Sequence, residues 1–248
     1  MLTTKLKGGL GNQLFQIAAG ETIAKNTQRT YYIENIQPTS AHSNEFYFDS
    51  IFKNWKHLYN PIQSVVFTEP NFEYIDWLPH LQFPIISLDG YFQNWMYVSD
   101  DFINRLSFDT SITSKYKNIS QSAFLHIRGG DYKNHWLHDL KLDSYYEKAI
   151  QEFSPETHFY VFTNDIEYAN SKPFLSSISH SFVIENEVNS LYLMSQCGLG
   201  GICANSSFSW WGAFLNTNRK LVMPSKWFTD PNIYTNGYYF NGVTKLDV

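Results

Sequence analysis

The 248 residues carry 18 basic and 23 acidic side chains, a net charge of −5. No basic stripe appears, which argues against nucleic acid as a partner and leaves any anionic ligand to a local site. With 43% hydrophobic and 18% aromatic residues the chain has the apolar content to fold, so wholesale disorder is excluded, as is a need for disulfide or metal staples. The two cysteines, Cys197 and Cys203, both lie in apolar surroundings, cannot make a disulfide scaffold, and read as buried reduced thiols.

The chain opens with a strand over Leu2–Leu6, a glycine loop, and a helix from about Gln13 to Lys25. Short apolar runs follow at Tyr31–Ile33, Val65–Phe67 and Ile85–Leu88, with a helix from Ser99 to about Leu106. The polar stretch Thr110–Gln121 reads as a linker. Beyond it, apolar runs alternate with helical patterns, the signature of βα units and a parallel sheet. Strands are expected at Ala123–Ile127, His158–Phe162, Ser181–Ile184, Gly201–Ala204 and Leu221–Met223. Helices are expected from an Asp143 cap to about Phe153, behind an Asn189 cap, and over Ser206–Leu215. The simplest reading is two α/β domains with a cleft between them, residues 1–118 and 119–248. No stretch approaches the roughly 20 apolar residues of a membrane span. Met1–Lys7 has no signal-like apolar region, so the expected location is the cytoplasm.

Chemistry-bearing residues gather in loops after strands, where open α/β sheets bind ligands. Lys7-Gly8-Gly9-Leu10-Gly11-Asn12-Gln13 follows the first strand and opens a helix. Its glycines suit close approach of backbone N–H groups to an anion, though it is neither a Walker loop nor a dinucleotide fingerprint. His126-Ile127-Arg128-Gly129-Gly130-Asp131-Tyr132 ends another strand. There an arginine fork can hold phosphate oxygens, and Asp131 can hold the arginine or cap the turn. Asn205-Ser206-Ser207-Phe208 joins a strand to a helix, offering hydroxyls and free N–H groups at a positive helix end; a plain N-cap is the alternative. Thr163-Asn164-Asp165 is a fourth such loop. His135, His138 and Asp139 lack the further ligands a metal site needs, so no metal is expected.

On four ordered segments the chain resembles the α-1,2-fucosyltransferase family, glycosyltransferase family 11. They are Gly8–Gln16, Leu88–Gln93, His126–Tyr132, and Leu191–Cys197 followed by Asn205–Gly212. The resemblance implies a GT-B-like α/β fold of two Rossmann-like domains, an N-terminal acceptor-side domain and a C-terminal nucleotide-sugar-binding one. It implies inverting, metal-independent transfer of L-fucose from GDP-fucose to a glycan hydroxyl, with no cofactor and no integral membrane segment. The donor residues would be His126, Arg128, Asn205, Ser206, Ser207, Phe208, Gly9, Gly11 and Asp165. Arg128 would stabilise the leaving diphosphate, Asn12 would reach the reacting centre, and Asp131 joins them as a catalytic candidate. The family's second motif arginine is Gly129 here. That departure keeps two alternatives open: a glycosyltransferase with another nucleotide-sugar, or a silent nucleotide- or carbohydrate-binding protein.

Overall fold

A computed structural model describes residues 1–34, 44–58, 64–77, 82–216 and 220–248, with only the backbone of 44–46. The chain forms two compact units, one of Met1–Phe108 with Tyr234–Tyr239, the other of Asp109–Ile233 with Phe240–Val248. The expected boundary at 118 therefore moves to 108. The polar stretch behind it is no linker: Asp109 caps a 3-10 turn over Thr110–Lys115 through the Ser111 N–H, and Ile112 is buried. Lys115 and Tyr116 both bond Glu185 within the second unit.

The first unit holds strands β1 (Leu2–Lys5), β2 (Tyr31–Glu34), β3 (Val65–Thr68) and β4 (Ile86–Asp89), all parallel in the order β2-β1-β4-β3. Helix α1 (Leu10–Asn26) starts earlier than its apolar spacing predicts, because extended Gly9 lets its carbonyl accept from the Asn12 and Gln13 N–H groups. Gln13 and Gln16 face back to the glycine loop. Gln13 Nε2 donates to the Gly8 carbonyl at 2.9 Å, while Gln16 pairs its amide with both backbone groups of Lys7. The loop is thus held by its own helix, and Gly8 supplies the positive φ (76°) that turns it. The unit also contains α2 (Asn44–Asp49) and α3 (Asp100–Asn104), the latter capped by the Ser99 hydroxyl.

The second unit holds β5 (Ser122–Ile127), β6 (His158–Thr163), β7 (Ser179–Phe182), β8 (Gly200–Ile202), β9 (Lys220–Pro224) and β10 (Val243–Leu246). Every pairing is parallel, in the order β10-β9-β8-β5-β6-β7. Renumbered from β5, that order is 3-2-1-4-5-6 read from the β7 edge, the arrangement of a dinucleotide-binding Rossmann sheet. Its helices are α4 (Asp143–Ile150), α5 (Ile166–Asn170), α6 (Glu187–Gln196) and α7 (Ser207–Phe214). Strand β5 is buried along its whole length, packed with Tyr145, Tyr146, Phe159 and Phe174 in the core. Both cysteines are free and buried.

Several expected boundaries shift. The edge strand expected at Ser181–Ile184 begins at Ser179, in register with the start of β6, and Ile184 lies exposed beyond it. The strand expected at Gly201–Ala204 is β8 and ends at Ile202. Asn186, not Asn189, caps α6, its side chain accepting from the Asn189 N–H. Asp143 opens α4 without capping it and pairs with Lys172 at 2.7 Å. Helix α4 stops at Ile150, and Phe153 packs edge-on against Phe159 just past its end.

Tyr145 pins three strands of this unit to α4. Its buried hydroxyl lies 2.8 Å from the Cys203 carbonyl and 3.1 Å from that of Val222, while its ring sits in the core that contains β5. Removing that donor takes a partner from the Cys203 carbonyl, while that of Val222 keeps the Cys203 N–H, a loss of about 1–2 kcal/mol. Tyr145→Phe is expected to lower the thermal midpoint by about 2–8 °C for a chain of this size, with unchanged far-UV circular dichroism as the check that the fold is retained.

Candidate functional site

The switch point of the second unit lies between β5 and β8, the neighbours from which the chain runs outward in opposite directions. Ligands of open α/β sheets bind outside the strand ends at such a point. His126 lies near the carboxyl end of β5, with Arg128 and Asp131 beyond it; beyond β8 stand Asn205, Ser206 and Ser207. The His126 and Phe208 rings bring the two ends together, 5.7 Å between centroids.

Arg128 is held without being consumed. Its Nη2 donates to Asp131 Oδ1 at 2.7 Å, and its guanidinium lies 5.0 Å over the Tyr132 ring. Its Nε is buried with no protein partner. An arginine with a buried N–H unspent is poised to donate to an oxyanion. His126 is buried, its Nδ1 likewise without a partner. Burial, aided by the Arg128 charge, lowers its pKa from 6.5 to about 3, so the imidazole is neutral at physiological pH.

Asp165 has both carboxylate oxygens engaged. Oδ1 accepts from the Tyr168 N–H and caps α5, while Oδ2 accepts from the Gly130 N–H and pairs with Lys133 at 2.6 Å. The Lys133 ammonium, with those N–H groups, holds its pKa down at about 2, so it is a turn-former and a poor base. Asn164 completes the turn, its Oδ1 accepting from the Gly129 N–H at 2.9 Å. Gly129 itself is tightly enclosed: a Cβ there would stand 2.7 Å from Tyr168 Cδ1 and 2.8 Å from Asp165 Cβ. A side chain at 129 has no room in this packing, and the neighbouring cation is Lys133.

Asn205, read from the sequence as a ligand residue, is a buried clamp. Its Nδ2 donates to the His138 carbonyl at 2.9 Å and the Trp227 carbonyl at 3.0 Å. Ser206 is the N-cap of α7, accepting from the Phe208 N–H, and Ser207 occupies the first helical position.

In the first unit β1 and β4 are the central neighbours of the sheet. Gly9, Gly11 and Asn12 stand beyond β1, and Gln93 beyond β4. Gln93 Nε2 donates to Asn12 Oδ1 at 2.6 Å, and the buried Tyr238 hydroxyl donates to Gln93 Oε1 at 2.5 Å. The returning segment Tyr234–Tyr239 thus supports Asn12 through a residue 145 positions away in sequence from Tyr238. Glu69 went unnoticed in the sequence. One of its oxygens accepts from the Tyr91 and Phe92 N–H groups, fixing the turn that carries Gln93, and burial raises its pKa to about 7.

A parallel sheet of this strand order, with an unspent arginine and a capped helix N-terminus at its switch point, suits an anionic ligand. Comparison with known proteins makes the class specific. The family model for glycosyl transferase family 11 matches residues 88–238, and the chain belongs to that family: it is a glycosyltransferase. It is 34% identical over 152 residues to the O-antigen biosynthesis glycosyltransferase WbnK of Escherichia coli, a match covering 54% of this chain and 48% of that one, so it spans about half the length of that relative. It is 27% identical over 271 aligned positions to an alpha-1,2-colitosyltransferase of Escherichia coli, covering 92% of both chains. The fold is that of the GT-B enzymes. NodZ alpha-1,6-fucosyltransferase co-crystallised with GDP superposes with a TM-score of 0.51 at 12% identity, covering 86% of this chain and 92% of that one. Fucosyltransferase NodZ from Bradyrhizobium gives 0.51 at 14%, covering 86% and 93%. No helix among the described residues is long and apolar enough to cross a membrane.

The depressed pKa of His126 has a consequence for stability. Below pH 6.5 the unfolded chain protonates this histidine while the native one does not, so its contribution is present above 6.5 and is lost as pH falls toward 3. Unfolding free energies measured between pH 6.5 and 4 should therefore have a shallower pH slope in His126→Gln, by about one proton's worth.

Proposed function

We propose that this glycosyltransferase moves L-fucose from GDP-fucose to a hydroxyl of an acceptor glycan, with inversion and without a metal, forming an α-1,2 linkage. The observation that carries the reading is the unspent Arg128 Nε after β5 and the capped start of α7 after β8, the two sides of the switch point of a Rossmann sheet. In such a transfer the acceptor oxygen attacks the anomeric carbon. The bond to the diphosphate breaks with its electron pair on the departing oxygen, and the acceptor's proton leaves to a base. The anomeric carbon passes through oxocarbenium character, and negative charge grows on the leaving group. A donor aimed at that charge in a dry site is worth several kcal/mol.

In this reading Arg128 takes the β-phosphate and Asp131 holds its fork in place. The N–H groups at Ser206 and Ser207 face the pyrophosphate, as helix starts do for anions. Neutral His126 and the Phe208 ring lie toward the nucleoside. Gly9 and Gly11 allow close approach in the first unit, and Asn12 hydrogen-bonds a sugar hydroxyl, its amide set by Gln93 and Tyr238. Asn205 and Asp165 serve by shaping the two loops.

A second reading is favoured by the colitosyltransferase that covers nearly the whole chain. Colitose is L-fucose without its 3-hydroxyl, so the same diphosphate and base contacts would serve either donor.

A thermal-shift panel of GDP, UDP, CDP and ADP, each with magnesium or with EDTA, tests the reading. Ligand at 100 times its dissociation constant adds about 2.7 kcal/mol, which moves the midpoint by about 5–11 °C. A shift with GDP alone, equal in magnesium and EDTA, is the expected result; a preference for UDP overturns the donor assignment. Arg128→Ala should lower kcat by about 10²–10³-fold while staying folded, and near-normal turnover would remove Arg128 from the leaving-group role. Rates with GDP-fucose and GDP-colitose decide between the two sugars.

Gln93→Glu probes Asn12. A carboxylate at 93 still accepts from Tyr238 but cannot donate to Asn12 Oδ1, so the Asn12 amide must turn over. The variant should keep its thermal midpoint within a few degrees and its GDP shift, yet lose about tenfold or more in kcat, since small misplacements near the chemistry are costly.

A further inference from the structure

Trp136 stands apart from the other aromatics of this chain. It is 76% exposed, against at most 40% for the other aromatic side chains among the described residues, and it lies in the loop that follows Tyr132. An exposed indole on a loose loop would mean little, but this loop is fastened by its backbone. The Thr229 hydroxyl donates to the Trp136 carbonyl at 2.7 Å, and the Thr229 N–H to the Leu137 carbonyl at 3.0 Å. Asn205, from the β8–α7 loop, donates to the His138 carbonyl at 2.9 Å. Asp139 accepts from the Asn134 N–H at 2.8 Å, closing the loop on itself. The segment is built to hold a large apolar face in water.

A ladder of π-faces joins that face to Arg128. The guanidinium lies over Tyr132, and Tyr132 stacks on His138 at 4.6 Å with 15° between planes. His138 lies 4.7 Å from His135, whose ring is stacked on Trp136 at 6.2 Å and 21°. His138 also packs on Phe228 and is half-buried, with its Nδ1 unpartnered. One end of the ladder is an unspent phosphate-seeking group; the other is a flat, rigid, wet apolar surface.

From this we infer that Trp136 is a sugar-stacking subsite that takes the apolar C–H face of a pyranose ring in the acceptor glycan. A pyranose has one face of C–H groups and a rim of hydroxyls, so it covers an indole without desolvating its own polar groups. An exposed indole with His135 stacked on one side is the matching partner. The inference rests on the glycosyltransferase reading for the name of the occupant, and the two are separable by experiment.

Saturation-transfer NMR with a panel of methyl pyranosides (α- and β-galactoside, glucoside and N-acetylglucosaminide), alongside the GDP thermal shift, is the test, run on the wild type, Trp136→Ala and Trp136→Phe. Because the side chain is exposed and its backbone makes the bonds, the variants should fold. The expected result is saturation of ring C–H protons in the wild type, lost in the alanine variant and partly retained in the phenylalanine variant, with the GDP shift the same in all three. In transfer assays the alanine variant should raise acceptor KM by about tenfold, the size of a lost aromatic contact, with donor KM unchanged. Pyranoside signals identical in Trp136→Ala, or absent from a wild type that does bind GDP, overturn the subsite. Pyranoside signals that depend on Trp136 without any GDP shift leave the subsite standing and overturn the donor reading instead.

Discussion

Two neighbouring parallel strands cannot be joined by a tight turn; the chain must cross back over the sheet before it starts the next one. Every loop that leaves a strand's carboxyl end is therefore delivered to the same edge of the sheet. Where the strand order reverses, two such loops diverge and leave a gap. Both units obey this constraint: β1 and β4 are central neighbours in the first, and in the second the order reverses between β5 and β8. All the chemistry follows from it. Motifs at 8–12 and 88–93 meet at the ends of β1 and β4, and motifs at 126–132 and 205–208 at the reversal between β5 and β8, though sequence keeps them some 80 residues apart.

Placing the loops is only half the requirement; each polar group must also be either spent on structure or kept back for a ligand. The second unit makes that division visible. Asp165, Asn164 and Asn205 are spent: their side chains satisfy backbone groups that a buried turn would otherwise orphan. Arg128 and His126 are kept back, with a buried nitrogen each that no protein group answers. Leaving such an atom bare costs about 1–3 kcal/mol. A fold carries that cost where a ligand recovers it. The enclosure of Gly129 by Tyr168 and Asp165 belongs to the same economy. The turn closes over position 129, and the Arg128 guanidinium lies over Tyr132, with Lys133 bonded to Asp165.

What the sequence shows and what it hides follow from the range of the forces involved. Strands β5 and β6 were legible because each has a buried apolar middle, Ala123–Leu125 in one and Phe159–Phe162 in the other. The Ser206 cap was legible because serine before an aromatic helical run has few other uses. The edge strand β10 was not: Val243–Leu246 is short, partly exposed and carries a lysine, so nothing local marks it. The Asn186 cap was missed because two asparagines, three residues apart, fit the same start, and only the helix axis set by packing chooses between them. Thr110–Lys115 looked like a linker because its residues are polar, yet one isoleucine and the Glu185 contacts suffice to dock it. The role of Asn205 was hidden for a different reason. An asparagine after a strand reads the same whether it faces a ligand or a carbonyl 67 residues away in sequence, and only the tertiary structure decides.

That clamp also explains why the aromatic loop belongs with the anion-binding turn rather than beside it. Asn205 bonds the His138 and Trp227 carbonyls at once, and Thr229, two residues beyond Trp227, bonds the Trp136 and Leu137 carbonyls. One short segment after β9 thus fastens both the α7 start and the loop that presents Trp136. A change in either would be felt by the other through a hydrogen-bonded frame two residues wide. The loop that presents Trp136 and the start of α7 are therefore carried on one hydrogen-bonded frame before any ligand arrives. Preorganisation of that kind removes the ordering cost that flexible loops incur on binding, and it lets a chain with short, spare loops hold its groups in register.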